Sequence, residues 1–355
     1  MTSLRFGLVG AGRNTREKHI PGLKACDGIE IVAVANSTPE SSRAVADEFG
    51  IASIADDWRA LVARDDIDAV VVGTWPNLHA DVTCAALESG KHVLCEARMA
   101  RSLGEATRMF EALKNADGLI GQIVPTPLGM EVGGKVEALV RDHFIGDLRE
   151  VVVTGANDAV WDFSQPLHWR QDRAKSGLNT LTLGILHETL MPWVPEPERV
   201  QAMQQTFEPN RPVPEAGDYV SVGVPDSLAV LAEFKSGVRG VYRLSGMNLF
   251  GPGHRIELYG SRGTLVVEFE PTERILAARI GDTELAEVDI ADEDRGSWTV
   301  EADFVDSIRN GAKVKRTTFG DGMRYMAFTE AVMRAAESGE AVDFPIEPAS
   351  IDFDS

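Results

Sequence analysis

Five short apolar runs, spaced by helix-length segments, constrain the fold of the first third of this chain more than any other feature. They are Arg5–Gly10, Ile29–Ala35 (IEIVAVA), Ile67–Thr74 (IDAVVVGT), Lys91–Glu96 and Gly118–Val124. Between them, residues 17–26, 39–49, 80–89 and 103–116 read as helices, the third closed by Gly90 as a C-cap. Continuous Val/Ile runs alternating with helices point to a parallel sheet covered on both faces. The expectation is an α/β N-terminal domain with a parallel sheet over residues 1–124.

The VPTP segment after Ile123 breaks this rhythm. Beyond it one helix is expected near 131–143. Longer, alternating strands follow at Leu148–Thr154, Ser227–Phe234, Gly240–Met247, Arg255–Tyr259 and Thr264–Phe269. A helical block at about 177–193 interrupts them. Helices near 299–310 and 320–338 and a strand near Ala341–Phe344 close the chain. Residues 125–355 therefore read as an α+β domain with a large, mostly antiparallel open sheet.

The 355 residues carry a formal net charge of −20 and no basic stripe, which argues against a nucleic-acid partner. No apolar run approaches the ~18 residues of a membrane span. Three cysteines, Cys26, Cys84 and Cys95, show no metal-ligand spacing, so neither disulfides nor a metal site is expected. The chain enters a strand without a basic-then-apolar leader, and a cytoplasmic protein is expected.

The stretch RFGLVGAGRNT carries the first chemistry. Gly10 and Gly12 follow a strand and precede a helix, where tight turns let backbone N–H groups approach a pyrophosphate. Thr15 replaces the usual third glycine. Arg13 and Asn14 complete the turn and join the candidate cofactor set. Asn36 ends the second strand 24 residues after Gly12, the place of the residue that meets the adenosine ribose. As an uncharged side chain it does not repel a 2′-phosphate. Ser37 and Thr38 are possible phosphate donors, and Arg43 lies one turn into the next helix. The cofactor is read as NAD or NADP, with a lean to NADP. The bland alternative for Asn36 is a strand-end cap.

The order VGAGR, VAVANSTPE, VVVGTWPNLHA, SGKHVLCEARMA is similar to that of the glucose–fructose oxidoreductase, inositol dehydrogenase and MocA family. So are IELYGSRGTL, FVDSIRNG and AVDFP further on. The resemblance implies that residues 1–124 are a Rossmann domain and that 125–355 bind substrate and mediate oligomerisation through the open sheet. It also implies a nicotinamide cofactor, a small sugar-like or polyol-like substrate, and a homo-oligomer. It also exposes departures. The family's Glu-Lys-Pro rim is here Glu96-Ala97-Arg98. Glu96 is kept and joins the cofactor set, while Ala97 stands at the position of the proton-transferring lysine. Arginine is a poor base. The family's bond at this turn is commonly cis, which is unfavourable before a residue other than proline, so a rebuilt turn is expected. Arg98 is then either a clamp for an acidic substrate group or a solvated surface residue.

In SGLNTLTLGILHETL, His187 matches the family's catalytic histidine and Leu183 replaces its aspartate. Helical spacing would place Ser176, Thr180, Leu183 and His187 on one stripe. His187 is either the general acid/base or a buried core histidine. Thr74 and Trp75 sit where a strand ends and ligands gather, although Trp75 has a packing alternative. His79 reads as structural. The segment WDFSQPLHWRQD offers Trp161, Asp162, His168 and Arg170 for a sugar, with Asp172 or Asp162 as a helper to His187. The leading function is an NAD(P)-dependent oxidoreductase for a sugar, polyol or related hydroxy compound. The alternatives are a retained nicotinamide used transiently for elimination or glycoside hydrolysis, and a non-catalytic sensor.

Overall fold

The computed structural model describes residues 3–214 and 217–353. The chain divides into two compact units. One runs to Pro125 and adds Thr299–Met326 and Pro348–Ile351, and the other comprises Thr126–Trp298 and Ala327–Glu347. The change of pattern at VPTP coincides with the first division. The span 125–355 is not one body, however. Phe304, in the helix Val300–Asn310, packs edge-on against Phe6 of the first strand at 6.2 Å. Thr318 bridges Gln122 at the sheet edge. These apolar and backbone contacts draw 299–326 into the N-terminal unit.

In that unit β1 (Leu4–Val9), β2 (Ile29–Ala35), β3 (Ser53–Ile54), β4 (Ala69–Val72), β5 (His92–Cys95) and β6 (Gly121–Ile123) form a parallel sheet in the order β3-β2-β1-β4-β5-β6. Every residue of β4 is buried, as a strand covered on both faces requires. The crossovers are α1 (Ile20–Lys24), α2 (Pro39–Phe49), α3 (Trp58–Val62), α4 (Pro76–Glu88) and α5 (Leu103–Lys114). Their starts follow local chemistry. Thr38 caps α2 in a reciprocal box with Ser41, and Ser102 caps α5. The strand order reverses between β1 and β4, and their carboxyl ends form the switch point at which such sheets bind ligands.

The second unit holds α6 (Gly133–Arg141), β7 (Leu148–Ala156), α7 (Arg173–Ser176), α8 (Leu183–Leu190), β8 (Pro197–Gln205), β9 (Asn210–Pro212), β10 (Tyr219–Ser221), β11 (Ser227–Phe234), β12 (Val238–Ser245), β13 (Gly253–Gly260), β14 (Gly263–Glu268), β15 (Arg274–Arg279), β16 (Ala286–Glu287) and β17 (Val342–Asp343). Nine strands make one sheet in the order β16-β15-β14-β13-β7-β12-β11-β8-β17, antiparallel except for the β7–β12 pair. Alternate residues of β11 are buried and exposed. The inward set packs with Leu183, Leu186 and Leu190 of α8 and with Phe328, Ala331, Val332 and Ala335 of the long C-terminal helix, Phe319–Ser338. The outward set leaves Met203 (72% exposed), Leu231 (57%) and Val241 in the open.

Strands β8 and β15 escape the sequence reading. In β8, PERVQAMQQ, only Val200 is buried, so the apolar alternation is too sparse to see. The helical block at 177–193 is also corrected. Gly177 (φ +67°) and Leu181 (φ +49°) break it, and Ser176 and Asn179 tie their side chains to each other's backbone. Only Leu183 and His187 share a helical face. Ser176 and Thr180 do not belong to that stripe.

Candidate cofactor site

At the end of β1, Gly10 takes φ +79°, a conformation L side chains avoid. A Cβ on Gly10 would lie 2.9 Å from the Gly73 carbonyl carbon, and one on Gly73 only 2.2 Å from Gly10 O and Thr15 Oγ1. The ends of β1 and β4 thus meet backbone to backbone. Gly12 differs, because a Cβ there would meet nothing nearer than Gly73 O at 3.8 Å. Gly12 is exposed and opens onto a hollow lined by Ala11, Gly12, Arg13, Arg16, Glu17 and Glu48. The chain then coils through a wide π turn at Thr15–His19 directly into α1. A tight turn, an open glycine and a helix start fit a dinucleotide pyrophosphate.

Asn36 braces this turn. Its Oδ1 accepts from Ala11 N–H at 2.7 Å, and its Nδ2 donates to Ser41 O at 3.1 Å. Ser37 is exposed beside it. Arg13 pairs with Glu17 on the surface. At the end of β4, Thr74 precedes Trp75, which is 46% exposed and stands at the N-cap of α4. His79 is buried, with Nε2 3.0 Å from Thr74 O and Nδ1 3.0 Å from Arg98 O. Burial lowers its pKa, against the pull of these carbonyls. It ties the β4 rim to the β5 rim, a structural job.

At the β5 rim the Ala97–Arg98 peptide is cis, so the expected rebuilding of this turn is not found. Arg98 is 3% exposed, which removes the solvated-surface reading, and Met99 N–H donates to Tyr325 Oη at 2.6 Å. Glu96 is gripped from several sides. Asn14 Nδ2 donates to its Oε1, His19 Nε2 lies 2.9 Å from the same oxygen, and Ala97 N–H donates to Oε2 at 3.2 Å. The other nitrogen of His19, Nδ1, is 2.6 Å from Glu301 Oε1. Burial opposes charge on His19, but hydrogen bonds to Glu301 and Glu96 outweigh it and raise its pKa to about 9. Burial likewise pushes Glu96 upward, and His19 and Asn14 hold it below the usual carboxylate value.

Sequence reasoning missed His19 and Glu301. They are 282 positions apart, so no local spacing joins them. The weak signal available was a histidine one turn beyond Asn14 in the helix that follows a glycine turn.

In the second unit His187 is 1% exposed. Its ring stacks on Phe328 with centroids 3.5 Å apart and planes at 4°, and Nδ1 lies 2.9 Å from Tyr242 Oη. Thr180 is buried, and its hydroxyl donates to Leu178 O. The polar loop beyond β7 is occupied largely with its own turns. Asp162 accepts from Ser164 and Gln165, which lowers its pKa, so it is a weak base. Asp172 caps α7 at Ala174 N–H and pairs with Lys175. His168 Nδ1 accepts from Arg170 N–H, and burial lowers its pKa. Arg170 lies over the Trp169 ring at 4.3 Å. Trp161 is half-exposed and offers an aromatic face. Asp172, Asp162 and His168 thus each carry local capping work. Buried Arg211, also missed, donates to Asp162 O at 2.6 Å and to Val160 O and secures the loop.

The parallel sheet, its switch point and the glycine turn define a dinucleotide-binding protein. Comparison with known proteins gives the family. Residues 4–122 match the oxidoreductase family with an NAD-binding Rossmann fold, and residues 134–266 match the GFO/IDH/MocA C-terminal domain. The chain belongs to the GFO/IDH/MocA oxidoreductase family. A levoglucosan dehydrogenase of Pseudarthrobacter phenanthrenivorans is 25% identical over 349 residues, covering 88% of this chain and 89% of that enzyme. The inositol 2-dehydrogenase of Rhizobium meliloti is 25% identical, covering 94% and 97%. Among solved structures, an oxidoreductase domain protein from Kribbella flavida superposes with a TM-score of 0.86 at 26% identity, covering 98% of this chain and 100% of that one. Among the described residues no helix is long and apolar enough to cross a membrane.

Proposed function

We propose that this protein is a nicotinamide-dependent oxidoreductase that moves a hydride to or from a carbinol carbon of a sugar or polyol. The observation that carries the reading is the open Gly12 turn beside a Glu96 carboxylate fixed at the β5 rim. The names of the relatives, levoglucosan and inositol dehydrogenases, support the substrate class. When bound, the nicotinamide supplies the hydride donor or acceptor. Gly10 shapes the turn, Gly12 leaves room for the pyrophosphate, and Asn36, Ser37, Thr74, Trp75 and Glu96 surround the remainder. With Ala97 at the lysine position, His187 is the candidate for the alcohol proton. Tyr242 fixes its ring, and burial keeps the phenol protonated by raising its pKa. Arg98 is the candidate clamp for an acidic substituent.

The uncharged Asn36 supports tolerance of a 2′-phosphate, so NADPH is expected to bind at least as tightly as NADH. The open sheet face with Met203, Leu231 and Val241 supports a homo-oligomer that covers it. A second reading, a sensor that binds nucleotide without turnover, is favoured by Ala97 and Leu183 in place of the family's lysine and aspartate. The test begins with fluorescence titration by NADH and NADPH. A panel of sugars and polyols is then followed at the reduced-nicotinamide absorbance band. Binding with turnover supports the oxidoreductase, binding with no turnover across the panel moves the sensor forward, and no binding refutes both.

A further inference from the structure

His19 and Glu301 are not used by any step above, yet with Glu96 they form a buried ion set that reaches the rim. His19 is fully buried, Glu301 is nearly so, and Glu96 keeps a small accessible edge. A neutral imidazole donates only one hydrogen bond. Here both ring nitrogens face carboxylate oxygens, at 2.6 and 2.9 Å. The arrangement is satisfied when His19 carries both protons and donates to each carboxylate. The set then holds one cation between two anions, and its surplus negative charge is presented through Glu96.

The neighbours tighten this geometry. Glu301 lies in the first turn of the helix Val300–Asn310, where a carboxylate is favoured by the helix dipole. A Cβ on Gly22 would come within 2.5 Å of Glu301 Oε2, so α1 and this carboxylate pack without slack. Asn14 donates to the same Glu96 oxygen as His19. Glu96 is therefore oriented by a residue of the glycine turn, by a buried cation one helical turn later, and by its own rim through Ala97.

We propose that His19 and Glu301 are positioning residues, which lock the Glu96 carboxylate in the orientation that accepts a hydrogen bond from a hydroxyl of the bound dinucleotide. The inference rests on the nucleotide-binding reading given above. Glu301 holds His19, His19 holds Glu96, and only Glu96 touches the cofactor. Glu96 from the end of β5, Asn14 from the turn and Glu301 from the C-terminal segment all face His19. Cys26, whose thiol burial and Glu301 push up, lies on the Glu301 side.

The experiment titrates NADH into the wild type, Glu301→Gln, His19→Asn and Cys26→Ser between pH 6.5 and 10, with circular dichroism and melting curves for each. Wild type is expected to bind at neutral pH and to weaken as pH passes about 9, where His19 loses its second proton. Glu301→Gln, which keeps the shape of the side chain, is expected to fold, to bind roughly tenfold more weakly and to move that limb to lower pH. His19→Asn is expected to abolish the limb, and Cys26→Ser to leave it in place. Wild type that fails to bind NADH or NADPH overturns the nucleotide reading and this inference with it. Wild type that binds, alongside a folded Glu301→Gln with the same affinity and the same limb, overturns the positioning role alone. If His19→Asn fails to fold, the Glu301→Gln comparison still decides. A limb that disappears in Cys26→Ser assigns the titration to the thiol and also overturns the proposal.

Discussion

Two glycines two positions apart in one turn have different physical reasons to be glycine, and substituting each with alanine separates scaffold from ligand contact. Gly10→Ala places a Cβ at φ +79°, which costs about 1–2 kcal/mol for an L residue. It also drives that Cβ to 2.9 Å from backbone atoms of Gly73 and Thr74, an overlap that cannot be relieved by a rotamer. Overpacking of this kind adds about 1–3 kcal/mol. The variant is expected to lose about 2–5 kcal/mol of stability and its nucleotide affinity together. Gly12→Ala meets no atom within 3.8 Å and carries no positive φ. The protein without ligand should be as stable as wild type or more stable by about 0.4–1 kcal/mol, because alanine restricts the unfolded chain. Its NADH affinity should fall at least about tenfold, since the methyl fills the space that the pyrophosphate needs. Urea melts and fluorescence titrations on the two variants provide the assay. Gly12→Ala with wild-type stability and wild-type affinity would refute the placement of a dinucleotide on this turn.

Stability itself should titrate through His19. Its pKa rises from an ordinary 6.5 when unfolded to about 9 when folded. Its contribution is therefore fully present below pH 6.5 and is lost as pH climbs through 9, with a span of about 3 kcal/mol. Urea melts at pH 6.5 and 9.5 should show a larger loss in wild type than in His19→Asn, and equal losses would count against it. His187→Asn is expected to lower kcat by roughly 10²–10⁴ while the variant stays folded. An unchanged kcat would leave His187 as a core residue stacked on Phe328. Arg211→Ala removes the donors that hold Val160 O and Asp162 O and should cost about 3 kcal/mol. Hydrogen exchange should speed up over 158–172, and unchanged protection there would show that the loop is held otherwise. Leu231→Arg, on the open sheet face, should barely change subunit stability but should reduce the oligomer measured by sedimentation. An unchanged sedimentation coefficient of an oligomer would place the interface elsewhere.

What the sequence determined by itself lies in its short-range periodicities. The β-branched runs specified the parallel sheet because a strand buried on both faces has no polar alternation to disguise it. The turn VGAGRNT was legible because a positive φ and a backbone-to-backbone approach demand glycine in a way that side-chain packing does not. Family motifs over 92–100 and 176–190 located the departures at Ala97 and Leu183. Tertiary structure decided the rest, because the deciding partners are remote or compete locally. His19 meets Glu301 across 282 positions, and Phe304 packs on Phe6, so a C-terminal segment completes the N-terminal unit. The same applies to Arg98. Its sequence neighbours left it free to be solvated, and the fold leaves it only 3% exposed. Asp162, His168 and Asp172 looked like a polar site because the sequence shows their chemistry but not their hydrogen-bond partners. In the fold each of them accepts a backbone N–H two residues further on, a geometry that no residue spacing reveals.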